Sequence, residues 1–180
     1  MTEELDRFNA RQRELGKPDF RIGIGINYGE VTVGNIGCDK KMDYTVIGDM
    51  VNLASRLEGL TKMYHQPLIF SEFLRDELGD TFTCRLLDTV AVKGKTKGVR
   101  IYTARRTLSP ELAKAWDMHE KAMAHYYARN FHAARDAFRD VTAALGRDDF
   151  ASVSMAERCD RYMANPPAAD WDGVEVLHEK

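Results

Sequence analysis

The sequence predicts an α/β domain followed by an all-helical extension, and three observations carry that prediction. Apolar residues repeat every second position from Phe20 to Ile36, two further strand-like runs span Phe82–Val92 and Val99–Arg105, and helical spacing around Leu53 and Leu57 lies between them. Strand-like and helix-like stretches thus alternate through residue 106, as in a layered α/β fold. After Ser109-Pro110 only helical spacing remains. A length of 180 residues suits one domain plus an extension, since a domain takes ~100–200 residues. The expected division is 1–108 and 109–180.

Leu5, Phe8 and Leu15 stand at near-helical spacing behind Glu3, Glu4 and Asp6, so residues 2–15 predict a helix that Gly16 and Pro18 end. Ile22, Ile24 and Ile26, then Val31 and Val33, joined through Asn27-Tyr28-Gly29-Glu30, predict a hairpin. Its other face carries Arg21, Gly23, Gly25 and Asn27 and is nearly bare. Either a ligand or backbone approaches it closely, or a helix covers it. Residues 44–47 form a short apolar run, and Gly48-Asp49 caps a helix whose buried stripe is Met50, Leu53, Ala54, Leu57 and Leu60.

Pro67 to Phe70 reads as a strand, Glu72 to Leu78 as a helix, and Phe82–Val92 and Val99–Arg105 as strands around the turn Lys93–Gly98. In the extension, Trp116, Met123 and Tyr127 line one helix and Phe131, Ala134, Phe138, Val141 and Leu145 the next, with Asn130 at the turn. That pair is similar to a tetratricopeptide unit, which cannot bury its own face. It therefore packs on the first domain, on a third helix near Met155–Met163, or on a partner. The stretch from Asn165-Pro166-Pro167 to Gly173 reads as an extended segment pinned by Trp171.

Composition excludes several functions. Lys plus Arg 26 against Asp plus Glu 28 leaves a formal charge of −2, so there is no general basic field for nucleic acid or an anionic membrane. Cys38, Cys84 and Cys159 are far apart and odd in number, which argues against a disulfide framework or a zinc site and for a reducing, cytoplasmic setting. No apolar run approaches the ~18 residues of a membrane span, and the acidic start MTEELDRFNARQ is unlike a signal peptide.

Familiar motifs fail one by one. Gly94-Lys95-Thr96 is no P-loop, because Thr89 stands where its first glycine belongs. Gly23-x-Gly25 is no dinucleotide fingerprint, because Tyr28 replaces the third glycine and a strand follows. His119-Glu120 opens no zincin helix, because position 123 is Met123.

What remains is a pair and a turn. Asn52 and Arg56 lie four apart on the helix after Gly48-Asp49, on the face away from Leu53 and Leu57. An amide and a guanidinium together suit a sugar oxygen and a phosphate. Val92-Lys93-Gly94-Lys95 offers two ammonium groups beside flexible backbone N–H donors, a cradle for a polyphosphate. Taken alone, a solvated helix face and a lysine-protected turn account for the same residues.

Four ordered blocks change that balance: Arg21-Ile-Gly-Ile-Gly-Ile-Asn-Tyr-Gly-Glu-Val31, Gly34-Asn-Ile-Gly37, Asp43-Tyr-Thr-Val-Ile-Gly-Asp-Met-Val-Asn-Leu-Ala-Ser-Arg-Leu-Glu58 and Val92-Lys-Gly-Lys95. Together they closely resemble the class III adenylate and guanylate cyclase catalytic domain over residues 5–106, most specifically over 44–58. The resemblance implies the second half of a ferredoxin-like α/β domain that works as a homodimer or with a complementing cyclase half. It further implies that Asn52 orients the ribose, Arg56 holds the α-phosphate, Lys93 and then Lys95 bind the triphosphate, and Thr45 selects the base, with ATP favoured over GTP. The reaction would yield cyclic AMP and pyrophosphate for intracellular signalling, with two magnesium or manganese ions.

The resemblance departs from the family pattern in one large respect. The family's metal-binding aspartates lie upstream of the matched region, and Asp43 and Asp49 occupy other positions of the pattern. The chain is therefore expected to be the C-terminal part of a cyclase, to hold no metal by itself, to turn over little or no ATP alone, and to associate through uncovered sheet edges. The tail Pro166-Pro-x-x-Asp-Trp-Asp-Gly-Val174 resembles tails after some bacterial cyclase domains and favours a natural end at Lys180. The rival readings are a non-catalytic regulatory module that pairs with an active cyclase, and an interaction protein acting through its helices.

Overall fold

A computed structural model describes residues 2–38, 41–91, 98–145 and 149–176. The order is α1 (Thr2–Glu14), β1 (Ile24–Ile26), β2 (Thr32–Cys38), β3 (Lys41–Ile47), α2 (Asp49–Met63), β4 (Leu68–Ser71), α3 (Glu72–Leu78), β5 (Thr83–Ala91), β6 (Val99–Arg105), α4 (Pro110–Tyr127), α5 (Phe131–Leu145), α6 (Phe150–Ala164) and β7 (Glu175–Val176). The fold is mixed α/β, as the alternation predicts. None of the described helices is long and apolar enough to cross a membrane.

A five-stranded sheet in the order β1-β4-β6-β5-β7 forms the centre. Its β1–β4 and β5–β7 pairs are parallel, and its β4–β6 and β5–β6 pairs are antiparallel. Leu53 and Leu57 of α2 bury against Ile69, Leu87, Val90, Val99 and Ile101 of the sheet. These are the β-branched and leucine side chains that suit a pleated surface covered by a helix. A second core forms among α4, α5 and α6 from Met123, Tyr126, Phe131, Phe138, Met155 and Cys159. Leu86 packs against this second core while its neighbour Leu87 lies in the first, so β5 serves both.

The hairpin expected over Phe20–Ile36 does not form. β1 instead pairs in parallel with β4, and β2 pairs antiparallel with β3 over seven residues from Thr32↔Ile47 to Cys38↔Lys41. The reason lies at Asn27, whose amide donates to the Met50 carbonyl (3.1 Å) and whose oxygen accepts from the Ser71 hydroxyl. Those bonds tie the end of β1 to α2 and β4, so the chain runs on to Thr32 before it can turn back. The apolar run at 44–47 is the second arm of the real hairpin. That hairpin lies outside the main sheet and leaves Val33, Met42, Tyr44 and Val46 exposed.

The helices follow their sequence signals. Ser109 caps α4 by accepting from the Leu112 N–H, with Pro110 in the first turn. Asp149 caps α6 in the same way through Ser152. The extension packs both on the sheet and on its own third helix, two of the three coverings its apolar faces call for. Trp171 sits edge-on to Tyr126, Phe131 and Tyr162, and Arg129 donates to the carbonyls of Pro167 and Ala168, which pins the tail.

Candidate active site

The site is organised by α2. Gly48 is its N-cap residue with φ of 144°, a conformation open to glycine, so Asp49 is the first helical residue and not the cap. Its carboxylate there faces the positive end of the helix dipole. Leu53, Leu57 and Thr61 point inward at intervals of four. Asn52 is exposed and Arg56 partly buried on the remaining surface, as their spacing predicts.

The bare face of β1 is what lets α2 lie so close. A Cβ placed on Gly25 would stand 2.2 Å from the Glu58 backbone nitrogen and 2.4 Å from the Ala54 carbonyl oxygen. One on Gly23 would meet the Thr61 hydroxyl at 2.2 Å. Both expectations for that face meet in one element, since a helix covers it and brings its own backbone close, and that helix carries the amide and the guanidinium.

Thr45 lies on β3 opposite Gly34, exposed, on the strand that leads directly into α2. Lys93 and Lys95 lie outside the described residues; the strands that bracket them end at Ala91 and begin at Val99. The structure therefore brings Thr45, Asn52 and Arg56 onto one continuous strand–helix unit. Among the described residues no three of His, Cys, Asp and Glu group to hold a metal ion. Asp43 pairs with Lys41 at 3.4 Å.

Residues the sequence reading passed over support this unit from behind. Asp88 of β5 is fully buried and accepts four hydrogen bonds. They come from the Tyr64 hydroxyl (2.7 Å), both terminal nitrogens of Arg158 (2.9 and 2.7 Å) and the Thr89 N–H (2.8 Å). Burial and then the Asp88 carboxylate push the Tyr64 phenol well above its ordinary range, so it donates. Burial alone would weaken the Arg158 charge, but Asp88 more than offsets it, and the guanidinium stays charged.

A second cluster lies three residues earlier on β5. Arg85 pairs with Asp149 and reaches the Ser152 hydroxyl and His119 Nδ1 (3.0 and 2.9 Å), while His119 Nε2 lies 3.0 Å from the Leu86 carbonyl. Burial, then the neighbouring Arg85 charge, push the His119 pKa down to about 3, so the ring is neutral. It donates from Nε2 to Leu86 and accepts at Nδ1. The only sequence signal for either cluster is a charged residue inside an apolar stretch.

The comparisons agree with this architecture. The adenylate and guanylate cyclase catalytic domain family matches residues 1–105. An adenylate cyclase of Anabaena cylindrica is 42% identical over 112 residues, covering 58% of this chain and 22% of that protein. Adenylate cyclase 1 of Rhizobium meliloti is 39% identical over 100 residues, covering 56% and 15%. The chain thus spans less than a quarter of the length of the curated relatives it matches. In three dimensions it is similar to the crystal structure of the adenylyl cyclase CyaB from P. aeruginosa, with a TM-score of 0.51, 37% identity, and coverage of 59% of this chain and 56% of that one. With the match extending over more than half of its length, from α1 to the end of β6, the chain belongs to the adenylate and guanylate cyclase catalytic domain family.

Proposed function

We propose that this chain is the nucleotide-handling part of an adenylate cyclase that converts ATP to cyclic AMP and pyrophosphate at a site shared between two chains. One observation carries the reading: in a chain of this family, Asn52 and Arg56 share the outward face of α2 while Leu53 and Leu57 are buried beneath it. In the reaction the ribose 3′-oxygen attacks the α-phosphorus and loses its proton to solvent. The bond from the α-phosphorus to the bridging oxygen breaks, and pyrophosphate leaves.

Each residue has a part in that displacement. The Asn52 amide hydrogen-bonds the ribose and holds the 3′-hydroxyl in line. The Arg56 guanidinium meets the oxygens of the α-phosphate as negative charge grows on them, where a preorganised donor is worth most. Lys93 and Lys95 neutralise the triphosphate and favour departure of pyrophosphate. Thr45 contacts the base, and with the adenylate cyclases among the relatives it favours ATP over GTP.

Divalent magnesium or manganese would activate the attacking oxygen and neutralise the leaving group. The described residues offer no cluster fit to hold such an ion. The shared site is supported by the β2–β3 hairpin, whose apolar side chains Val33, Tyr44 and Val46 are exposed and suit a protein partner.

The test is cyclic AMP formation from ATP with manganese. It is run on the 180-residue chain and on a version preceded by a further half-domain of roughly 100 residues. Product from the longer version, lost in both Asn52→Ala and Arg56→Ala, supports the proposal. No product from either version refutes it in favour of a non-catalytic module.

A further inference from the structure

We infer that Asp88, gripped by Arg158, is a positioning residue through which the C-terminal helices hold the helix that carries Asn52 and Arg56. This rests on the cyclase reading for its catalytic meaning, while the linkage itself stands on geometry.

Three elements far apart in sequence meet at one carboxylate. Tyr64 is the C-cap residue of α2, Asp88 lies on β5 and Arg158 lies in the middle of α6. The Tyr64 hydroxyl and the Arg158 Nη2 both donate to the same oxygen, Asp88 Oδ2, each at 2.7 Å. Nη1 of Arg158 donates to the other oxygen at 2.9 Å, so the guanidinium fixes the plane of the carboxylate. Arg158 is itself held, with Nε 3.7 Å from Glu175 of β7 and its guanidinium 6.0 Å from the Tyr126 ring. Tyr64, Asp88, Arg158 and Tyr126 are all shut away from water, where a charged hydrogen bond has few substitutes.

The strand is shaped for this contact. A bulge between Leu86 and Asp88 sets Asp88 opposite Ile101 directly after Leu86 has met Tyr102. A regular strand would send Arg85 and Asp88 to opposite faces, but the extra residue turns both toward α6. Arg85 meets Asp149 there and Asp88 meets Arg158. The C-terminal end of α2 is thus fastened by its cap residue to a carboxylate whose orientation the extension dictates. Its N-terminal end is fastened by Asn27 to β4. Asn52 and Arg56 lie between those two fixings, and a small tilt of α2 about Asn27 would displace both from a shared ligand.

The experiment uses hydrogen exchange of the α2 amides at low denaturant, with ATP affinity measured in parallel on the same proteins. Tyr64→Phe removes one hydroxyl and leaves the Asp88–Arg158 pair in place, and Arg158→Lys keeps the charge but loses the fork. Each is expected to speed exchange within α2 by about tenfold, the worth of a buried hydrogen bond to a charged group. Each is also expected to weaken ATP binding several-fold. The double variant should show less than the product of the two single effects, because both act on one carboxylate. Val141→Ala, buried in α5 and no partner of Asp88 in the hydrogen bonds above, should leave α2 exchange and ATP affinity as in the parent chain. If α2 exchange is unchanged in both Tyr64→Phe and Arg158→Lys, the inference is overturned. If the parent chain binds no ATP, the affinities are read on the longer version instead, and the exchange result alone still decides the linkage.

Discussion

Replacing Gly25 by alanine tests the contact on which the site depends. The new methyl carbon would lie 2.2 Å from the Glu58 nitrogen and 2.4 Å from the Ala54 oxygen, both backbone atoms of α2, about 1 Å inside ordinary contact. No side chain can rotate away to relieve this, so the helix itself must lift from β1. Alanine also restricts the unfolded chain, which by itself would stabilise the protein by about 0.4–1 kcal/mol. Overpacking of a close-packed contact costs about 1–3 kcal/mol and more when backbone must shift, so the clash wins. A net loss of about 2 kcal/mol is expected in urea denaturation, with Arg56 displaced and nucleotide binding weakened beyond what the stability change alone produces. Gly59→Ala is the internal control. It lies on the exposed side of the same helix with nothing within 4 Å of an added Cβ, and should stabilise by about 0.5–1 kcal/mol. A Gly25→Ala protein as stable as its parent would refute the packing of α2 on β1.

Two further outcomes follow from burial and exposure. The folded His119 pKa of about 3 lies below the ordinary 6.5, so between those values only the unfolded chain binds the proton. Stability should therefore fall by about 1.4 kcal/mol for each pH unit below about 6, added to by Asp149 as pH drops below its ordinary 3.8 toward its folded value of about 2. Urea midpoints that do not change between pH 7 and pH 5, or that change equally in His119→Gln, would count against a buried neutral ring. The exposed apolar side chains of the β2–β3 hairpin should make the chain associate at micromolar concentration, and replacing Tyr44 and Val46 by serine should shift light scattering toward the monomer; a monomeric parent chain would contradict this.

The elements that were legible in the sequence are those whose signal is local. The stripe Leu53, Leu57 and the helix start at Gly48 sit within one window, as do Ser109-Pro110 ahead of α4 and the apolar positions of α5. Asn52 and Arg56 were legible for the same reason, since four-residue spacing fixes a shared face. Strand pairing was not, because β1 finds its neighbour 44 residues away, where Ile24 meets Leu68. The glycines of β1 announced a close approach without naming what approaches. Asp88 and Arg158 are 70 residues apart, and nothing near either one says that each neutralises the other.

The two ion pairs between β5 and α6 run with opposite sense: a strand cation meets a helix anion at Arg85–Asp149, and a strand anion meets a helix cation at Asp88–Arg158. Such a pattern has a direction. An α6 docked in reverse, or slipped far enough to bring the wrong ends together, would set like charge against like charge in a dry interface, where no water can soften the repulsion. Intermediate dockings are therefore poor compromises, and the helices are either seated on the sheet or off it. Heating should accordingly reveal one melting transition for the whole chain, and a protease that nicks between β6 and α4 should leave the two pieces clasped together.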